Sequence, residues 1–164
     1  MTGPWLSGEK INLRPPRDMD VVRRVRWLND PETAVLWAIE TKDHWHIGDL
    51  DIHGMDLLIR SARLTILIGN KDYWGQGYGA DAVETMLRYA FGTLMLDTVN
   101  LRVYGFNQRG IRCYEECGFV RTGESFGSWP DYGGEEKHEI FMTAHRERLQ
   151  AERPYERTLL TRSG

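Results

Sequence analysis

The string YWGQGYG, Tyr73 to Gly79, sets glycines at positions 75, 77 and 79. Glycine is costly unless the chain needs an unusual φ/ψ or the main chain must lie close to something. An apolar run, LTILIG, precedes the string, and a helix-like run, ADAVETMLRYAF, follows it. The first turn of a helix carries unpaired N–H groups and a partial positive charge, so a glycine loop feeding it makes an anion cradle. Phosphate or pyrophosphate is the natural guest, and a tight turn without a ligand is the alternative. A P-loop would need G-x-x-x-x-G-K-[ST], which the chain lacks. A dinucleotide fingerprint would need G-x-G-x-x-G, but Ala80 follows Gly79, and no acidic residue ends a later strand in the ribose-binding place.

A second signal lies about thirty residues on, in VYGFNQRGIRCYEECGFV. A strand ends at Asn107, a short helix carries Tyr114, and Gly118 closes it. If the two strands are parallel neighbours, right-handed crossovers bring Asn107 and Tyr114 to the side of the glycine loop. On its own, Tyr114 reads equally as an aromatic packed on the core side of its helix. The stretch HWHIGDLDIH offers His44, His46, Asp49, Asp51 and His53, all metal-ligand types. On a strand, Asp49, Asp51 and His53 face one way and His46 the other, which favours a solvated strand face over a metal site. The two cysteines, Cys113 and Cys117, sit one helical turn apart with no second Cys/His pair at zinc spacing. They read as reduced thiols of a cytosolic protein.

The elements that must position these residues follow from period and punctuation. A short strand is expected over Lys10 to Arg14, ended by prolines. Asp18 is placed to cap a helix over Met19 to Asn29 with an apolar stripe of Val21, Val22, Val25 and Leu28. AVLWAIET and WHIGDLDIH read as a hairpin across KDH. ARLTILIG is the next strand, with Leu64, Ile66 and Ile68 on one face. After the glycines, Val83, Met86, Leu87 and Ala90 recur at helical spacing. TVNLRVYGF is a strand with Val99, Leu101 and Val103 inward, and a short helix follows it. FVRTGESFG and EEKHEIFMT are two last strands joined by the turn-rich SWPDYGG. The order is β-α-β-β-β-α-β-α-β-β, a mixed α/β class. One domain is expected over residues 1–144, with a charged tail at 145–164 that is partly helical or frayed.

With 164 residues, 41% hydrophobic and 27% charged, the chain has the composition of a soluble domain with one core. A net charge of −3 argues against nucleic acid as a partner and is compatible with a cationic substrate. No segment approaches a membrane span, and MTGPWLSGEK lacks a signal-peptide core, so a cytoplasmic location is expected.

The segments INLRP, IGNKDYWGQGYGADAVETMLRYAF and NLRVYGFNQRGIRCYEECGF together resemble the Gcn5-related N-acetyltransferase (GNAT) superfamily. Within it they look most like the ribosomal-protein N-terminal acetyltransferase branch. The resemblance runs from about Ile11 to Met142 and is strongest from Ile59 to Phe119. It implies a sheet of about six to seven strands, split like a V and flanked by helices. It also implies acetyl transfer from acetyl-CoA to an amine, with no metal. Trp74, Gly75, Gln76, Gly77, Tyr78 and Gly79 match the pyrophosphate loop. Ile68 matches the strand end that pairs with the pantetheine arm, Asn107 the cofactor-contacting asparagine, and Tyr114 the tyrosine aimed at the CoA sulfur. The chemistry agrees. An amine attacks the thioester, a main-chain N–H at the splayed strand stabilises the oxyanion, and a tyrosine hydroxyl protonates the leaving sulfur. The amine must lose a proton, for which Glu139, Glu124 and Glu135 are candidates. Glu139 fits best, because EIFM resembles the family's last strand. Ordered water is the alternative.

The chain departs from that branch in one place. NDPETAVL runs almost directly into WAIETKD, so the second N-terminal helix is expected to be missing. That helix forms a wall of the acceptor site in the family. Either the site is open, or a partner subunit, as in a homodimer, supplies the wall. Gly110 stands where the family often has alanine, and Trp129 in the last turn is a candidate border of the acceptor site. The expected acceptor is a protein N-terminal α-amine, with a polyamine or amino-sugar as alternatives. The rival from another class is an acyl-CoA-binding or sensor module without turnover.

Overall fold

The computed structural model describes residues 6–17, 20, 35–128 and 136–152. Eight strands form a single sheet: β1 (Leu6–Ser7), β2 (Ile11–Arg14), β3 (Val35–Thr41), β4 (His46–Asp56), β5 (Ser61–Ile68), β6 (Thr98–Tyr104), β7 (Val120–Ser128) and β8 (Glu136–His145). Helices α1 (Tyr78–Gly92), α2 (Gln108–Glu116) and α3 (Arg146–Glu152) complete the described elements. A 3₁₀ turn at Lys71–Tyr73 links β5 to the glycine loop. The expected count of six to seven strands fell short because β1, two residues long, has no periodicity to read; it pairs Leu6 with Leu13 and Ser7 with Asn12. The expected helix over Met19 to Asn29 lies outside the described residues apart from Asp20, as does the stretch where the second helix was expected to be missing. Among the described residues, no helix is long and apolar enough to cross a membrane.

The sheet order is β1-β2-β3-β4-β5-β6-β8-β7. Every neighbouring pair is antiparallel except β5 and β6. That parallel pair is joined only at Ser61–Arg63 against Thr98–Asn100. Beyond it, β5 continues with β4 alone and β6 with β8 alone. The two strands part towards their C-terminal ends, and the sheet opens there as a V.

Alternation sorts the side chains onto two faces. Leu50, Ile52, Ala62, Leu64, Val99, Leu101 and Val103 form the buried helix-side face. Val83, Met86, Leu87 and Ala90 of α1, all fully buried, pack on it as the helical spacing predicts. Full burial of such a side chain contributes about 1.5–3 kcal/mol. Trp37 of β3 meets Tyr89 of α1 edge-on, with ring centroids 6.0 Å apart.

A buried carboxylate ties the first hairpin to α1. Asp81, in the first turn of the helix, accepts the backbone N–H groups of Glu9 (2.9 Å), Lys10 (2.6 Å) and Ile11 (3.0 Å). Gly8 permits the approach, since a Cβ there would stand 2.4 Å from Asp81 Oδ2.

Candidate active site at the opening of the sheet

A cavity of about 850 Å³ lies at the open end of the V. The last residues of β5 (Ile66 to Ile68), the glycine loop and first turn of α1, and the start and inner side of α2 line it. The expected loop residues Trp74, Gly75, Gly77, Tyr78 and Gly79 all stand on this lining, as do Ile68, Asn107 and Tyr114. Gln76 turns away from it. Its side chain donates to the carbonyl of Asp72, and its own carbonyl accepts Lys10 Nζ at 2.8 Å.

The three glycines do different work. Gly75 (φ 70°) and Gly77 (φ 84°) occupy the left-handed region, where a side chain is strained. Gly77 is also the N-cap of α1, and no side chain caps the helix there. The first-turn donors are left to the cavity, as an anion cradle requires. A Cβ at Gly77 would meet Lys10 Nζ at 3.2 Å. Gly79 is ordinary helix, and a Cβ there would make only van der Waals contacts, 3.8 Å to Ile68 and 4.0 Å to Cys113.

Trp74 lines the cavity and is partly exposed. Its indole N–H donates to the Ile68 carbonyl at 2.8 Å, so one of the main-chain groups expected to face a pantetheine arm carries an internal partner. The Arg109 guanidinium of α2 stacks 3.7 Å from the centre of the Trp74 ring. Asn107 caps α2, its Oδ1 accepting the N–H of Gly110 at 3.0 Å. A Cβ at residue 110 would stand 2.7 Å from Asn107 Nδ2, so the glycine makes room for this cap. Phe106, 79% exposed on the cavity rim, stacks on Tyr104 with centroids 5.3 Å apart.

Tyr114 stands edge-on to Phe119, 5.9 Å between ring centroids. Burial, reinforced by the neighbouring thiols of Cys113 and Cys117, pushes its hydroxyl well above the ordinary phenol value. It therefore stays protonated across the neutral range, as a proton donor must. Cys113 lines the cavity beside it, its thiol pulled down first by a hydrogen bond with Cys117.

Glu139 is not part of this lining. On β8 it lies opposite Tyr104, on the face away from α1 and α2, with its carboxylate 3.8 Å from Arg102. Glu124 is 2.8 Å from His138 on the exposed end of the last hairpin. Glu135 and Trp129 lie outside the described residues.

The reading of HWHIGDLDIH as a solvated strand face is corrected. The β3–β4 register shifts at Ile39/Glu40, placing Gly48 opposite Ile39 and His46 opposite Glu40. Ile47 is the extra residue of this bulge, and it flips His46 onto the face of Asp49. Both are buried, at 8% and 3% exposure, and His46 Nε2 lies 3.1 Å from Asp49 Oδ1. His46 Nδ1 is 3.2 Å from Asp20, which with Glu40 grips Arg14. Burial alone would raise the pKa values of Asp20 and Glu40. Hydrogen bonds from Arg14 and the Arg17 N–H to Asp20, and from His44 and Arg14 to Glu40, outweigh it and hold both carboxyls below their ordinary values. Among the described residues, no three ligand-type side chains are grouped to hold a metal.

A family model described as "Acetyltransferase (GNAT) domain" matches residues 10–120. Spermidine N(1)-acetyltransferase of Vibrio cholerae is 32% identical over 77 residues, 47% of this chain and 44% of that protein. The chain thus matches less than half the length of that curated relative. Among solved structures, spermidine/spermine N-acetyltransferase SpeG of Vibrio cholerae superposes with a TM-score of 0.77 at 19% identity, over 88% of this chain and 97% of that one. The spermidine N-acetyltransferase of the same organism, in complex with CoA and spermine, gives 0.71 at 20% identity, over 84% and 96%. These two likenesses show a shared fold.

Proposed function

We propose that this chain, which belongs to the GNAT acetyltransferase family, transfers an acetyl group from acetyl-CoA to a primary amine of the polyamine type. The observation that carries the reading is one cavity, at the opening of the V, lined by both the uncapped N-terminus of α1 and Tyr114. The first-turn N–H groups of α1 and the glycine loop hold the diphosphate. The end of β5 aligns the thioester and offers a main-chain N–H to the oxyanion. Asn107 fixes the start of α2, and Tyr114 gives its proton to the departing sulfur.

The sequence reading preferred a protein N-terminal α-amine as acceptor. The relatives named for spermidine weigh towards a polyamine instead. The test has two steps. Calorimetric titration of acetyl-CoA, with NAD and ATP as controls, is expected to show selective binding. CoA release is then measured with spermidine, spermine and a peptide bearing a free N-terminus, and the polyamines are expected to turn over faster. Selective binding without CoA release for any amine would favour a non-catalytic acyl-CoA-binding module.

A further inference from the structure

Asp49 Oδ2 is buried without a hydrogen-bond partner. Its other oxygen is taken by His46 Nε2 at 3.1 Å. A carboxylate oxygen buried at 3% exposure without a partner is destabilising. Such an oxygen asks for a bound water, a ligand or a part in a reaction.

Its position says which. Asp49 lies directly across from Leu67, the penultimate residue of β5 and part of the cavity lining. The two side chains share the face away from α1 and α2, whereas Tyr114 approaches the same opening from the helix side. A thioester held in the opening would have a proton donor on one face of the sheet and a proton acceptor on the other. That is the geometry in which an amine attacks from one side and the sulfur leaves towards the other.

We propose that Asp49, oriented by His46, takes the proton of the incoming ammonium through a single water. The inference rests on the acetyltransferase reading above. The N–H bond of the ammonium breaks, and its proton passes by way of the water to Oδ2. The freed nitrogen lone pair attacks the thioester carbonyl. The nitrogen gives up a second proton as the amide forms, and the C–S bond breaks as Tyr114 protonates the sulfur. Tyr114 regains the second proton, and Asp49 releases the first to solvent, one per turnover. Glu139, the carboxylate preferred from sequence, fits this role less well: it already faces Arg102 at 3.8 Å, and its strand partner Tyr104 is not on the cavity lining, whereas Leu67 opposite Asp49 is. His46 is a positioning residue. The charged groups that surround the pair are Asp20 and, on β2, Arg14; Glu40 on β3; and Asp51 on β4 itself, while Arg63 on β5 shares the face farther along, opposite His53.

The test is Asp49→Asn in the full chain, read by acetyl-CoA affinity and by the pH profile of CoA release. Affinity should stay within about twofold, while kcat/KM with spermidine falls about a hundredfold at neutral pH. The deficit should shrink as pH rises towards the amine's own pKa, because the substrate then arrives neutral. With an aromatic amine, neutral already at pH 7, the variant should match the unaltered enzyme. His46→Gln should repeat the pattern at reduced size, and it serves if Asp49→Asn does not fold. Equal rates with spermidine at every pH would overturn the proposal. So would a loss of the same size for both amines. If the unaltered chain binds acetyl-CoA but acetylates neither amine, the acetyltransferase reading fails instead.

Discussion

The helix side of the V and its opposite face are built on different principles. On the helix side, main-chain donors and glycines do most of the work, and the parts come from two short stretches, residues 66–83 and 106–116. On the other face, charged side chains do it: Arg14, Asp20, Glu40, His46 and Asp49 come from separate segments and meet in a buried network. A site made of backbone tolerates varied side chains but not varied φ/ψ. A network made of side chains tolerates backbone variation but not the loss of a single charge.

Substitutions that break one side should leave the other's signature intact. The largest effect is expected for Tyr114→Phe. Loss of the general acid should lower kcat by about 10²- to 10⁴-fold with acetyl-CoA affinity unchanged, read by CoA release and calorimetry. Unchanged turnover would remove Tyr114 from the chemistry. Arg14→Met removes the cation shared by the buried carboxylates of Asp20 and Glu40, leaving Asp20 to the Arg17 N–H and His46 and Glu40 to His44, and such breaks cost about 3–5 kcal/mol. Thermal unfolding should move down by on the order of 10 °C, with acetyl-CoA affinity of the folded protein retained.

Gly77→Val forces a β-branched residue into a left-handed φ, a strain of about 1–3 kcal/mol, and brings its Cβ within 3.2 Å of Lys10 Nζ. Acetyl-CoA affinity should fall at least tenfold, as measured by calorimetry. Gly79→Ala sharpens the point, since its Cβ has space and its helical φ is ordinary. Its effect should be the smallest, within about threefold in affinity.

Acid should act on the charged face first. Asp20 and Glu40 have folded pKa values held below the unfolded ones, so the unfolded state binds more protons and stability rises with pH. Their contribution is complete above pH about 4.5 and is lost as pH falls further, through the lowered folded values. A series of unfolding curves from pH 6 to pH 3 should show this decline in the unaltered protein. It should be flatter in a Glu40→Gln variant.

This contrast also explains what could be read from the sequence. The glycine loop, its flanking strand and helix, Asn107 and Tyr114 are local patterns, and short-range sterics write local patterns directly into the chain. The three glycines still looked alike, because φ is not visible in a residue name; only 75 and 77 need the left-handed region. The inward faces of β5, β6 and α1 were legible from periods of 2 and 3.6. His46 was misread because a single bulged residue, Ile47, inverts the alternation on which the reading relied. Asp81 gave no signal at all, since its three partners are main-chain groups about 70 residues earlier in the chain.

That carboxylate gives the first turn of α1 a remote reporter. The amides of Glu9, Lys10 and Ile11 can exchange with deuterium only when Asp81 lets go of them. Their exchange rates therefore measure how often the start of the helix loosens. A ligand that settles on the glycine loop should slow all three together, although it need touch none of the three amides.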